Sequence, residues 1–180
     1  IYDDSMWLIK LVENLLSVTR IEDGRMDLRM SAELMDEVIA EAMRHTDRNR
    51  DGRKIEVSSD EEFILGKMDA RLIVQVVINL VDNAVKYSNE EVLIILSGKK
   101  TEDETIVRVH DNGIGIPLSE QHKIFNKFER IASGSRKTGA SGFGLGLNYV
   151  LQVVSAHGGM VKVESMEGSY SEFTLQFPLR

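Results

Sequence analysis

Helices alternating with strands, preceded by an amphipathic helix, are the fold this sequence predicts. Three observations carry it. Apolar residues recur at helical spacing in residues 1–23, 32–44 and 69–87, β-rich runs lie between and after them, and polar or glycine-bearing turns separate most neighbours.

Each element can be justified in order. Leu8, Leu11, Val12, Leu15 and Val18 follow helical spacing, with Asp4, Lys10, Glu13, Asn14 and Ser17 largely elsewhere around the helix, and Gly24 marks the stop. In 25–30, Met26, Leu28 and Met30 alternate with Asp27 and Arg29 as in a half-buried strand; 32–44 returns to helical spacing through Leu34, Met35, Val38, Ile39 and Met43. A polar turn at 47–52 follows, then a strand at 54–58 and a short one at 63–65. Asp69 is placed to cap a helix running to about Tyr87, its carboxylate accepting from free amides of the first turn. Residues 92–97 and 105–111 read as two strands of a hairpin, 119–128 as a short helix, and 130–141 as a loop rich in Ser, Gly, Lys and Arg. A helix over 143–156, the turn His157, Gly158, Gly159, and strands at 160–165 and 171–177 close the chain.

Composition bounds the function. A length of 180 residues with 42% hydrophobic content suits one globular domain plus an appended element. A net charge of −7 argues against nucleic acid or anionic lipid as the main partner, so any polyanion must be held locally. Without cysteine there are no disulfides, thiolate zinc sites or thiol nucleophiles, which suits a reducing compartment. No apolar run approaches the roughly 20 residues that span a bilayer. The chain starts at Ile1 without Met, so a fragment of a longer protein is expected.

The chemistry concentrates in three places. Asn79 and Asn83 lie four apart and so share one helical face, which Lys86 and Tyr87 continue. An amide oxygen is a hard ligand that can complete a Mg²⁺ shell when phosphates supply the charge, and an ammonium can offset the remainder. Capping or bridging of neighbouring segments is the alternative for these amides. Asp111 ends a strand, and Gly113 and Gly115 follow it; the glycines let backbone approach a flat ring, and a carboxylate there accepts from the exocyclic amine of adenine rather than facing the oxygen of guanine. An ordinary β-turn explains Asp-Asn-Gly equally well. Gly142, Gly144 and Gly146, with Leu145 and Leu147 between and after, lead into an apolar helix whose free amides would point at phosphate. A dinucleotide fold is excluded because no strand precedes these glycines, and a Walker loop because Ala140 stands where its lysine must be.

The combination resembles sensor histidine kinases of two-component systems. Residues 79–87 resemble the N box, 111–116 the G1 box, Ile-Phe-Asn-Lys-Phe-Glu-Arg at 124–130 the F box and 142–147 the G2 box, in the family's order. The resemblance implies, for 25–180, the catalytic ATP-binding domain. That is an α+β fold, a two-layer α/β sandwich of the GHKL type (Hsp90, gyrase, histidine kinase, MutL), with a mixed sheet packed on three helices. Residues 1–24 look like the end of the second helix of the dimerisation and phosphoacceptor hairpin, an N-terminal amphipathic bundle helix. The stretch 11–21 looks most like potassium-responsive Kdp-type sensor kinases. Carried over by position, Asn83 contributes to Mg²⁺ binding with Asn79 assisting, Lys86 meets phosphate, Tyr87 packs near ribose or phosphates, Asp111 reads adenine with Gly113 and Gly115 beside it, and Ser171 bonds adenine through water. Residues 117–141 become an ATP lid whose Lys127, Arg130, Arg136 and Lys137 screen the γ-phosphate, with Gly142, Gly144, Leu145 and Gly146 completing the phosphate side. Expected partners are ATP, the protein's own hairpin, a second copy in a homodimer and a response regulator. The domain would be cytoplasmic, with the parent anchored in the bacterial inner membrane.

One departure from the family is plain: none of His45, His110, His122 or His157 stands in a phosphoacceptor segment, so the acceptor histidine is expected elsewhere. Asn79 also occupies the place where hydrolytic relatives carry a general-base Glu, so hydrolysis is expected to be slow. The rivals are an anti-sigma-type serine kinase of the same superfamily and a nucleotide-free scaffold working by dimer contacts.

Overall fold

Three strands near the chain's centre and end, at 104–111, 160–166 and 170–178, alternate between a more buried face and a more exposed one, and helices cover the buried face. In the computed structural model, residues 2–24, 27–46, 54–59, 63–88, 94–126 and 146–178 are described. In chain order these form α1 (Tyr2–Glu22), β1 (Ser31–Leu34), α2 (Met35–Thr46), β2 (Ile55–Ser59), β3 (Leu65–Met68), α3 (Ala70–Lys86), β4 (Ile94–Lys100), β5 (Glu104–Asp111), α4 (Gly146–Ala156), β6 (Met160–Met166) and β7 (Tyr170–Pro178). Five strands pair in the order β2-β4-β5-β7-β6. The β2–β4 pair is parallel and the other three pairs are antiparallel, so the sheet is mixed as expected.

The core lies between that sheet and α2, α3 and α4. Val107 and Val109 of β5, Phe173, Leu175 and Phe177 of β7, and Val161 and Val163 of β6 meet Val38 and Ile39 of α2, Ile73, Val76, Val77 and Leu80 of α3, and Val150, Val153 and Val154 of α4. A buried imidazole ties two of these helices together. Asp69, at the start of α3, donates its backbone N–H to His157 Nε2 at 3.0 Å, and His157 Nδ1 donates to the Val153 carbonyl of α4 at 2.7 Å. His157 is therefore the neutral Nδ1–H tautomer here, and it also stands edge-on to Phe177 with centroids 6.2 Å apart.

Several expectations need correction. The strand expected at 25–30 lies at Ser31–Leu34, and the following helix begins at Met35 rather than 32, because β1 pairs antiparallel with β3 and the Met35 amide bonds the Ile64 carbonyl. That pairing likewise moves the short strand from 63–65 to Leu65–Met68 and makes a separate two-stranded sheet. Asp69 does occupy the N-cap of α3, but its side chain makes no capping bond. The carboxylate instead accepts from the Arg29 amide at 3.0 Å and from Arg71 at 2.9 Å. Burial pushes that carboxyl up, yet Arg71 and the Arg29 amide outweigh it and hold Asp69 below its ordinary range. Residues 119–126 of the helix expected at 119–128 form successive turns, with amides of Glu120, Lys123 and Asn126 each bonding the carbonyl three residues back, and 127–128 lie outside the described residues. The polar turn at 47–52, the loop at 130–141 and the start of the helix expected from 143 lie outside the described residues.

The amphipathic first helix ends at Gly24, whose φ is +66°. It packs against α4, while Leu8, Val12, Leu15 and Leu16 remain exposed. An open cleft between α1 and the α3/α4 pair is lined by Glu13, Leu16, Ser17 and Arg20 on one side and Arg71, Gln75 and Tyr149 on the other. None of the described helices is long and apolar enough to cross a membrane.

Phe177 is fully buried, whereas Leu118 is 83% exposed. Phe177→Ala should therefore lower unfolding free energy by about 3–5 kcal/mol, and Leu118→Ser should change it by less than about 0.5 kcal/mol. Guanidinium titrations of the two variants check this; similar midpoints would mean that the sheet–helix interface is not the core.

Candidate nucleotide site

The site is built where α3 ends and β5 ends. Tyr87 closes α3 as its C-cap, with its N–H returning to the Asn83 carbonyl. Its own carbonyl accepts from the Ile114 amide at 3.1 Å, in the turn just after β5. A Cβ at Gly113 would lie closer than 3.0 Å to that same carbonyl oxygen, so only glycine permits the approach. Gly115, at φ +67°, would drive any side chain into the backbone of Met166. These contacts hold the turn between α3 on one side and the β6–β7 hairpin on the other, where the Gly168 amide donates to the Ile114 carbonyl at 2.6 Å.

Asp111 is 5% exposed on the core face of the sheet, and its Oδ1 accepts from the Gly113 amide at 2.9 Å. Burial raises its carboxyl from 3.8 to about 6, with the Gly113 amide and the neighbouring His110 opposing the rise. Ser171 is its register partner on β7 and is also buried. The carboxylate and hydroxyl expected to read a base are thus neighbours on one face, beside the end of the amide-bearing helix.

Along α3, Asn79 is buried and Asn83 half-buried. The Asn79 amide is engaged at both ends. Gln75 Nε2 donates to its Oδ1 at 2.9 Å, and its Nδ2 donates to the Gly146 carbonyl at 3.4 Å. The structure therefore brings together Asn79 and Gly146, the first residue of α4, and the bridging alternative describes what Asn79 does here. No hydrogen bond to the Asn83 side-chain amide occurs among the described residues. Lys86 and Tyr87, both half-buried, continue the same helix to its end. Lys127, Arg136, Gly142, Gly144 and Leu145, with Arg130 and Lys137, lie outside the described residues.

Four residues were not singled out in the sequence. Gln75 sits one turn before Asn79, so helical spacing was the available signal. Ser165 joins the turn after β5 to the β6–β7 hairpin: its Oγ accepts from the Ile116 amide at 2.8 Å and lies 3.0 Å from Ser171 Oγ. Gln121 donates to the carbonyls of Ile116 and Ser165, at 3.0 and 3.1 Å. Asn148, 6% exposed in α4, donates to the Phe125 carbonyl at 2.9 Å, while its buried Oδ1 has no partner among the described residues. Phe125 in turn stands edge-on to Phe173, 6.3 Å between centroids, which anchors the segment before residue 127 to the core.

The four histidines are accounted for differently, and His122 is exposed. His157 is structural, His45 lies 3.1 Å from Glu41, and His110 lies 3.1 Å from both Glu172 and Asn112 and stacks on Tyr170.

Comparison with known proteins bears on the family and the fold. Residues 68–180 match the model of the histidine kinase-, DNA gyrase B- and HSP90-like ATPase family. Sensor protein KdpD of Clostridium acetobutylicum is 35% identical over 179 residues, covering 99% of this chain and 20% of that protein. The circadian input-output histidine kinase CikA of Synechococcus elongatus is 30% identical, covering 99% of this chain and 24% of that protein. The chain thus spans about a fifth to a quarter of the length of these two curated relatives. Among solved structures, the mycobacterial sensor histidine kinase MprB superposes with a TM-score of 0.72 at 26% identity, covering 84% of this chain and 98% of that one.

Because burial raises the Asp111 carboxyl, the folded state holds its proton more tightly than the unfolded chain. The stability this gives is present below about pH 4 and is lost as pH rises to about 6. Asp111→Asn removes the ionisation but keeps an acceptor for Gly113, so at pH 8 the variant should be more stable by about 2 kcal/mol, with no advantage at pH 4. Paired denaturant titrations at the two pH values measure this, and equal stability at pH 8 would refute the burial cost.

Proposed function

The chain belongs to the histidine kinase-, DNA gyrase B- and HSP90-like ATPase family, and from that membership we propose that it is the ATP-binding catalytic part of a two-component sensor histidine kinase. It would transfer the γ-phosphate to a histidine on a dimerisation hairpin, for relay to a response-regulator aspartate. The observation that carries this reading is the junction of Tyr87 with Gly113 and Ile114, which sets the amides of α3 beside the buried carboxylate of Asp111. That junction is itself made by backbone, the Ile114 amide on the Tyr87 carbonyl.

In this reading Asp111 accepts from the adenine amine, with Gly113 and Gly115 giving the ring a flat approach. Ser171 supports the base beside it. Asn83 offers an amide oxygen to Mg²⁺, and Asn79, already held by Gln75, orients that face of α3 toward Gly146. The donor set fits such an ion: no cluster of three or more His, Cys, Asp or Glu able to hold a metal occurs among the described residues, so phosphate oxygens and water would complete an octahedral shell around one amide. Mg²⁺ would supply charge neutralisation on the phosphates. Lys86 and Tyr87 would face phosphate and ribose, Lys127 and Arg136 would screen the γ-phosphate from the lid at 117–141, and Gly142, Gly144 and Leu145 would complete the phosphate side after it. Such an arrangement suits a transfer in which positioning and charge do most of the work.

We further assign residues 1–24 to the end of the hairpin's second helix, with 25–180 as the catalytic domain. The exposed apolar residues of α1 suit a bundle partner, the protein's own hairpin and a second copy. Kdp-type kinship is supported by the 35% identity with KdpD. The parent would be anchored in the membrane with this domain in the cytoplasm.

Calorimetry with Mg²⁺ and a non-hydrolysable ATP analogue tests the pocket. Asp111→Ala should weaken binding by tenfold or more, and Asn83→Ala should abolish its Mg²⁺ dependence. Equal heats in all three proteins would sink the nucleotide reading. Adding a separate hairpin that carries an acceptor histidine should then yield acid-labile phosphate; bound ATP without transfer would leave a nucleotide-binding module but not a kinase.

A further inference from the structure

Asp111 on β5, Ser171 on β7 and Ser165 on β6 stand in one row across three strands, each the register partner of the next. The nucleotide reading uses the first two and gives no role to Ser165. Its hydroxyl has one hydrogen and two lone pairs. The Tyr170 carbonyl, at 2.6 Å, can only accept, so it takes the hydrogen. The Ile116 amide, at 2.8 Å, can only donate, so it occupies one lone pair. The remaining contact, 3.0 Å to Ser171 Oγ, then has a single polarity: Ser171 donates and Ser165 accepts. With its only hydrogen committed, Ser171 presents lone pairs alone to anything else. Gln121 holds this arrangement from behind by donating to the carbonyls of Ile116 and Ser165 at once.

Resting on the nucleotide-binding reading, we propose that Ser165 is a positioning residue that sets purine selectivity. By taking the hydroxyl hydrogen of Ser171, it makes Ser171 and Asp111 two adjacent acceptors, an edge complementary to the two hydrogens of an exocyclic amine and opposed to an oxo group in the same place. Asp111 alone rejects an oxo purine only while ionised, whereas Ser171 so oriented rejects it at any pH. A water bridging Ser171 to the base would have to donate to Ser171, so its polarity is fixed as well.

The test compares ATP with ITP, which carries an oxo group in place of the amine. Ser165→Ala frees the Ser171 hydrogen to turn outward and meet that oxygen, so the preference for ATP over ITP should fall about tenfold, while Ser165→Thr, which keeps a hydroxyl on the strand, should retain it. Thermal melts of both variants show whether the fold is kept. A folded Ser165→Ala protein with an unchanged ATP/ITP ratio overturns the role of Ser165 and leaves the nucleotide reading standing. A wild-type protein that binds neither nucleotide overturns both. Should Ser165→Ala fail to fold, Ser171→Ala asks the same question, because it leaves the other two bonds of Ser165 intact: ATP should weaken severalfold while ITP, relieved of an opposing acceptor, binds more tightly, and equal losses for the two would refute the proposal.

Discussion

One carbonyl organises this molecule. Tyr87 ends a helix, and its oxygen is met from the opposite side by the amide of Ile114 and by the bare Cα of Gly113. A backbone acceptor at a helix end needs a partner, and here the partner comes from the turn that follows the central hairpin. The long helix and the central strand are thereby registered to each other at one point, without any side chain intervening. Everything that gives the site its shape, from the amides of α3 to the carboxylate at the end of β5, is measured from that contact.

Around it the core face of the sheet changes character. Val107 and Val109 precede Asp111, Phe177, Leu175 and Phe173 lead back to Ser171, and Val161 and Val163 precede Ser165. Three apolar rows end in polar residues at the same edge. The cost of burying those groups is offset within the row and the adjoining turns, except at Asp111, which keeps a raised affinity for its proton. That residual cost marks the carboxylate as shaped for something other than stability.

Most of the strands and helices were legible from apolar periodicity alone, because sheet and helices each bury one face. What failed was local. The strand expected at 25–30 is at Ser31–Leu34, since its place is decided by pairing with β3 and not by its own alternation. Asp69 has the composition and position of a cap, yet Arg71 and the Arg29 amide compete for its carboxylate. Residues 118–126 carry helix-compatible residues but take turns, with Gln121 bonded to Ile116 and Ser165 and the Phe125 carbonyl bonded to Asn148. In the site, Asp111, Gly113, Gly115 and Ser171 could be placed from motifs. Ser165 could not, although a polar residue on the apolar side of Val161 and Val163 was the visible sign. Gln75 was hidden for a simpler reason: on a helix this apolar, a single amide reads as a surface residue.

Gln75 also lines the cleft beneath the first helix, opposite Glu13, Leu16, Ser17 and Arg20, while its amide steadies Asn79. One side chain therefore touches two neighbourhoods. Asn79 passes that bond on to the Gly146 carbonyl, so two amides in series run from the floor of the cleft to the opening turn of α4.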